Sequence, residues 1–411
     1  MSDTKISHAR LAHLAHDGDQ LMINGVPLAR LVERVGRTPF YAYDRAAMSA
    51  RVAALRAVLP ARVKLHYAVK ANPMPAVVAH MRPLVDGFDV ASQREMRVAL
   101  DSGMPAQEIS FAGPAKQDTE LRCAVAAGVC LNCESETEFE RILRHAEQLD
   151  LAPQIALRVN PDFELKGAGM KMAGAPKQFG IDVARVPALL ARMRERALPV
   201  AGLHIFCGSQ NLKAEAIIEA NQRSLELALR LCAESRVTLG FLNIGGGYGI
   251  PYFPGEADLD LRAVGDALHA ALALHGPALG ATEVVVELGR YLVGEAGYYV
   301  CRVTDIKDSQ GQCFVMVDGG LHHHLSNSGN FGQVLRKNYP VVIGNRLAQA
   351  SSGVANIVGP LCTPLDMVAD KLAVPTLALD DLVVVLQSGA YGYTASPQLF
   401  LSHPAPLEIL V

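Results

Sequence analysis

Lys70 is the residue of this chain with the most chemistry to offer. It stands in Tyr67-Ala-Val-Lys70-Ala-Asn72, at the end of an apolar run that breaks at Asn72-Pro73. In a solvated strand such a lysine points to water and means nothing more. Here Val69 and Ala71, both small and apolar, flank it. That pattern reads as a lysine at the C-terminal end of a buried strand, where barrel enzymes place their active sites. Desolvated there, its amine can lose its proton and form a Schiff base with an aldehyde. Further along, the glycines Gly245, Gly246 and Gly247 follow a second strand-like run, and successive backbone amides there can close on an anion. Ser209 and Arg290 can add a hydroxyl and a guanidinium to such a cradle, and Glu287 supplies a carboxylate. Each group alone has a plainer reading, the glycines as a tight turn and Glu287 as a buried acid paired with a structural arginine. Together, an amine, an anion cradle and an acid fit pyridoxal 5'-phosphate, whose aldehyde takes an amine and whose pyridine nitrogen takes an acidic partner.

These groups need a scaffold that brings distant segments together. Strand-like runs recur at 64–70, 87–92, 109–113, 129–133, 154–160, 200–206, 241–244 and 284–288, with helical patterns between most of them. Strands alternating with helices imply parallel pairing with right-handed crossovers. Eight such strands close a (β/α)8 barrel of the TIM type. An open doubly wound sheet calls for a phosphate loop after its first strand, which this chain lacks. From about Gly297 the texture changes to strand-like runs separated by Gly, Pro and Asp. This predicts an α/β chain with two domains: a barrel over 36–292, and a mainly antiparallel β domain over 293–411. The β domain takes in residues 1–35, where Asn24-Gly25 signals a short hairpin.

Composition narrows the function classes. The 411 residues are half hydrophobic and 19% charged, with a formal net charge of -3, which gives no reason to expect nucleic acid or an anionic membrane as partner. The N-terminus has no apolar signal region, and no run approaches the length of a membrane span. A cytoplasmic protein is the expectation. Eight cysteines without a framework spacing read as reduced thiols. Cys130 and Cys133 form a CxxC, but on a strand they fall on opposite faces. His322, His323 and His324 look like metal ligands, yet consecutive side chains diverge on any regular backbone. No metal is expected.

The ordered motifs resemble those of the fold type III pyridoxal-phosphate decarboxylases, the group of diaminopimelate, ornithine and arginine decarboxylases, whose barrel is of the alanine racemase type. They are Tyr-Ala-Val-Lys-Ala-Asn at 67–72, Phe-Asp-Val-Ala-Ser at 88–92, Gly-Ser-Gln at 208–210, Gly-Gly-Gly at 245–247, Glu-Leu-Gly-Arg at 287–290, Gly-Pro-Leu-Cys at 359–362 and Gly-Ala-Tyr-Gly at 389–392. The resemblance implies that Lys70 holds the cofactor, Glu287 bonds its ring nitrogen, and Ser209, the three glycines, Gly289, Arg290 and Tyr391 bind its phosphate. It adds Asp89, Arg158 and Phe206 to the cofactor site. It implies a homodimer in which Cys362, reaching in from the partner subunit, protonates the carbanion after carbon dioxide leaves. Lys70, Glu287 and Cys362 are then the catalytic set. Alanine racemase shares the barrel but carries an arginine at the ring nitrogen, so Glu287 favours decarboxylation over racemisation. A non-catalytic, cofactor-binding regulatory protein is the alternative from another class.

Three departures bear on substrate. Phe206 stands where the family carries a histidine stacked on the cofactor ring, while His204 matches an earlier histidine of diaminopimelate decarboxylases. Those enzymes follow the cysteine with a glutamate that reads a distal amine; here the run is Cys362-Thr-Pro-Leu-Asp366. The segment 321–340 matches the family's substrate segment only through Arg336 and Tyr339. Arg290, Arg336, Tyr339, Cys362, Asp366 and Tyr391 are the expected substrate contacts. The segments 166–180 and 321–340 resemble the exosortase-associated branch and the branch acting on a glutamyl group on an acyl-carrier protein. The expected activity is decarboxylation of an amino acid or a carrier-linked amino-acyl conjugate.

Overall fold

The structure is a computed structural model that describes residues 8–164, 170–174, 176–327 and 337–411. The chain divides into two compact units: Ser49–Ile250 with Asp258–Leu292, and Met1–Met48 with Pro251–Ala257 and Val293–Val411.

The first unit is a closed barrel of eight parallel strands: β1 (Val63–Ala68), β2 (Gly87–Val90), β3 (Ile109–Phe111), β4 (Cys130–Cys133), β5 (Ile155–Asn160), β6 (Gly202–His204), β7 (Phe241–Gly246) and β8 (Glu283–Leu288). Each pairs with the next, β8 with β1, and the β4–β5 pairing completes the ring. The eight strand-like runs read from the sequence are these eight strands. The connecting helices start where the sequence provides caps. Ser92 accepts from the Glu95 amide at 3.2 Å, Glu95 accepts from Ala91 N–H at 2.8 Å, and Ser135 accepts from the Glu138 amide at 3.1 Å. Strand faces that meet the helices are apolar, with Leu65, Tyr67, Phe88, Phe111, Leu131, Leu157, Leu203 and Val286 all buried.

The faces turned the other way are polar at one level. Every strand contributes one buried polar residue there: His66, Asp89, Ser110, Asn132, Arg158, His204, Asn243 and Glu287. Their pairing registers differ by zero or two residues, so all eight share one side of the sheet. This belt places the chemistry.

The second unit is mostly β. Its sheet joins Phe40–Tyr43, Gly297–Ser309, Gln312–Val317, Val341–Ile343, Gly353–Val358, Met367–Val374, Leu382–Val385 and Leu407–Leu410. Most pairings are antiparallel; those of 312–317 with 353–358 and of 407–410 with 40–43 are parallel. The N-terminal hairpin turns at Asn24 (φ 47°) and Gly25 (φ 73°), as the Asn-Gly pair predicts. Its core packs Leu21, Ile23, Leu28, Leu31, Phe40, Val300, Val384 and Val411. The strand 40–43 belongs to this sheet, so the first unit begins at Ser49 and not at residue 36.

Candidate active site

β1 ends at Ala68, and Lys70 follows in a single helical turn, Val69–Ala71. Two hydrogen bonds fix that turn: Tyr67 Oη donates to Asn72 O at 2.8 Å, and Met74 N–H donates to Asn72 Oδ1 at 3.1 Å. Gly289 lies against Ala68 and Ala71, where a Cβ would stand 2.8 Å from that of Ala71. The side chain of Lys70 is 43% exposed, with its Nζ 3.5 Å from Glu287 Oε1 and 5.3 Å from the centre of the Phe206 ring. This chain alone therefore leaves the amine part-exposed rather than desolvated. An acid faces it instead.

Glu287 is buried, and burial alone pushes its carboxyl up. Lys70, His204 and Arg158 outweigh that and hold it well below the usual carboxylate range. His204 Nε2 lies 3.1 Å from Oε2, and Asn243 Nδ2 donates to the same oxygen at 3.4 Å. Asn243 Oδ1 in turn accepts from the Gly245 amide at 2.8 Å, tying the acid to the glycine run. Gly245 and Gly247 both have φ of 73°, a region that favours glycine. A Cβ on Gly246 would run into the Glu287 carbonyl, and one on Gly247 into the Gly208 carbonyl beside Ser209. The chain thus leaves room for backbone, and for little else, between β7, Phe206 and Ser209. Lys70, Phe206, Gly245, Glu287 and Gly289 converge in one place. Arg290 directly follows Gly289 at the start of the short helix Arg290–Val293.

The rest of the polar belt supports this group. His66 Nδ1 is 3.3 Å from Asp89 Oδ2, and Ser110 Oγ donates to Asp89 Oδ1 while accepting from Asn132 Nδ2 at 3.2 Å. Burial pushes the His66 imidazole down, but Asp89 more than compensates and leaves it raised. Arg158 Nη1 donates to Glu134 Oε1 at 2.9 Å, with its guanidinium over the Phe179 ring. Both oxygens of Glu134 also accept backbone amides, from Gly113 at 2.6 Å and Gly180 at 3.1 Å. Lys116, buried, donates to Gly113 O, Asn132 O and Glu138. Three strand-end loops are knotted together in this way.

Sequence reasoning left His204, Asn243, Glu134 and Lys116 out of the site. His204 and Asn243 had a readable signal, a single polar residue inside the apolar runs Leu203-His-Ile and Leu242-Asn-Ile. Glu134 and Lys116 had none, since their partners lie in other loops. Cys130 and Cys133 are buried thiols pushed up to about 12 by burial, far from the thiolate form.

In the β unit, Cys362 is exposed and the other seven cysteines are not. Tyr391 has a left-handed backbone, φ 63°. Tyr339 is buried and stacks on Tyr252, ring centres 4.5 Å apart. Arg336 lies outside the described residues. Asp366, expected as a substrate contact, is buried in this chain, and its two oxygens accept from Leu321 N–H at 2.6 Å and Leu361 N–H at 2.8 Å. The three histidines part as the backbone dictates. His323 Nε2 bonds Pro404 O, His324 Nε2 pairs with Ser388 Oγ, and His322 has no polar partner among the described residues. No group of three or more His, Cys, Asp or Glu among the described residues is arranged to hold a metal, and no described helix is long and apolar enough to cross a membrane.

Residues 45–294 match the family model for the pyridoxal-binding domain of pyridoxal-dependent decarboxylases. Over 382 residues the chain is 36% identical to the L-glutamyl-[BtrI acyl-carrier protein] decarboxylase of Niallia circulans, covering 91% of this chain and 88% of that one. It is 31% identical to the Staphylococcus aureus 2-[(L-alanin-3-ylcarbamoyl)methyl]-2-hydroxybutanedioate decarboxylase, covering 89% and 92%. Among solved structures it is similar to Helicobacter pylori diaminopimelate decarboxylase complexed with L-lysine, with a TM-score of 0.82, 26% identity and coverage of 93% and 94%.

Proposed function

The chain belongs to the pyridoxal-dependent decarboxylase family, and we propose that its substrate is an amino-acyl group on a carrier, or an α-amino acid without a distal amine. It is an amino-acid decarboxylase that uses pyridoxal 5'-phosphate. When bound, the cofactor supplies an aldehyde for the substrate's amine and a ring that withdraws the electron pair left by departing carbon dioxide.

The chain's own residues set the conditions. Lys70 Nζ is the group that would hold the cofactor covalently. Ser209, the amides of Gly245–Gly247, Gly289, Arg290 and Tyr391 would hold its phosphate. Glu287, ionised and oriented by His204 and Asn243, would keep a proton on the ring nitrogen. Phe206 offers an aromatic face without a hydrogen bond or a charge. Cys362 of the partner subunit would return a proton to the substrate's α-carbon, which makes the working form a homodimer. Sedimentation of the holoenzyme checks that stoichiometry, and a monomer with full activity rules it out.

One observation carries the choice of substrate. The residue after Cys362 is Thr363, and its Oγ1 accepts from the Leu365 amide at 3.3 Å. No carboxylate stands there to bind a distal ammonium. The first relative above, whose name specifies a glutamyl group on a carrier protein, supports the same reading. The test is carbon dioxide release from meso-diaminopimelate, free L-glutamate and a glutamyl-loaded carrier protein. The carrier-linked group should lead meso-diaminopimelate by about a hundredfold in kcat/KM. Meso-diaminopimelate as the best substrate overturns the reading.

A further inference from the structure

We infer that Asp366 is a positioning residue for Cys362: it closes the loop that carries the thiol and fixes where the thiol stands. The inference rests on the reading of Cys362 as proton donor. Asp366 is 2% exposed, and no Lys or Arg among the described residues forms an ion pair with it. A buried carboxylate without a cation is costly unless its oxygens are satisfied. Here backbone amides satisfy them.

One of the two amides lies within the thiol's own loop and the other outside it. Oδ2 takes the amide of Leu361, the residue before Cys362. Oδ1 takes that of Leu321, in a separate segment. Asp366 also closes the loop through its backbone. Its carbonyl accepts from Gly359 N–H at 2.9 Å, and its own N–H donates to Thr363 O at 3.2 Å. Cys362 is thus exposed between two tethered neighbours.

Gly320 and Gly359 both press on this carboxylate, and a Cβ on either would strike its oxygens. The Leu321 segment is itself anchored. His323 Nδ1 lies 3.0 Å from Tyr299 Oη on the strand Gly297–Ser309, and His323 Nε2 bonds Pro404 O at 2.9 Å. A continuous line of contacts therefore runs from the sheet through His323 and Leu321 to Asp366 and the thiol's loop. A plain loop staple would need no more than the Leu361 bond. The second amide, from outside the loop, sets the loop's position as well as its shape.

The experiment compares holoenzyme carrying Asp366→Asn, Asp366→Ala, Gly359→Ala and Cys362→Ala with the parent. Asp366→Asn keeps the shape but cannot accept both amides. Gly359→Ala disturbs the same carboxylate from the other side. Melting temperature and cofactor absorbance identify folded variants, and where Asp366→Ala does not fold the other two carry the test. One readout is carbamidomethylation of Cys362 by iodoacetamide, followed on its own peptide. Another is decarboxylation in deuterium oxide, using whichever substrate releases carbon dioxide, where a fixed donor puts deuterium on one face of the product's α-carbon.

Asp366→Asn and Gly359→Ala should speed the alkylation several-fold, scramble the deuterium, and lower kcat on the order of tenfold with little change in KM. Parent-like alkylation and one-sided deuterium in both, while Cys362→Ala scrambles it, overturns the inference. If Cys362→Ala itself leaves kcat and the deuterium face unchanged, the reading of Cys362 falls first.

Discussion

At the scale of single residues, the site depends on which groups can stay charged. In the proposed site Glu287 acts as a carboxylate, and His204, with Nε2 3.1 Å from it, helps to keep it one. Because the depressed carboxyl stays ionised across ordinary pH, it contributes no acid limb to activity in that range. Replacing His204 by Phe removes one of the groups that lower it, and the carboxyl then rises. We expect kcat to fall on the order of tenfold, and an acid limb from Glu287, absent from the parent's kcat profile, to enter the variant's from the low-pH end. A kcat profile superimposable on the parent's would show that His204 only fills space. Lys70, Glu287 and the glycines were legible in the sequence because their chemistry is carried by residue type. Asp366 was expected as a substrate contact because it lies four residues after Cys362, and its two amide donors appear only in the fold. Backbone partners leave no trace in a sequence.

Elements were legible where periodicity is strong. All eight barrel strands were found because parallel strands buried on both faces are nearly continuous apolar runs. The start of the first unit was placed less well than its end at residue 292. Phe40–Tyr43 is as apolar as a barrel strand, and only its pairing with 297–309 and 407–410 assigns it to the other sheet. The turn after β7 is where element geometry bears on the proposed phosphate cradle. Gly246 lies between Gly245 and Gly247, both at φ 73°, and against the Glu287 carbonyl and Leu288 Cδ2. Gly246→Ala must therefore push β7 from β8, costing about 1–3 kcal/mol and loosening the cradle. Cofactor titration by absorbance should show affinity reduced at least about tenfold, which is 1.4 kcal/mol. Gly276→Ala is the control. That glycine lies inside the helix Leu261–Leu279, where an added Cβ would meet only Arg62 Nη1 at 3.5 Å, and with Pro277 next in the chain the helix-propensity gain is offset, so stability should change by less than about 1 kcal/mol. Equal cofactor affinity in both variants would remove the cradle argument.

For the whole molecule, the β unit carries an acid weakness that its sequence only hinted at. Three consecutive histidines, His322 to His324, are all buried, and burial holds their imidazoles down to about 3, 4 and 3. Each folded-state value lies below the ordinary 6.5, so between there and about 4 the unfolded chain takes up protons that the folded chain refuses. The stability these groups permit is whole above pH 6.5 and drains as pH falls. At a pH one below 6.5 the loss is up to about 1.4 kcal/mol for each. His323 and His324 at least use their ring nitrogens on Pro404 O and Ser388 Oγ, whereas His322 lies against His323 and His403, ring centres 3.6 and 5.1 Å away. His322→Phe keeps an aromatic ring there and removes the titration. Urea unfolding at pH 7 and pH 5.5 should show the parent losing more stability between the two than the variant does, by about 1 kcal/mol. Equal losses would place His322 in water or in a hydrogen bond, and the weakness would then belong to its two neighbours alone.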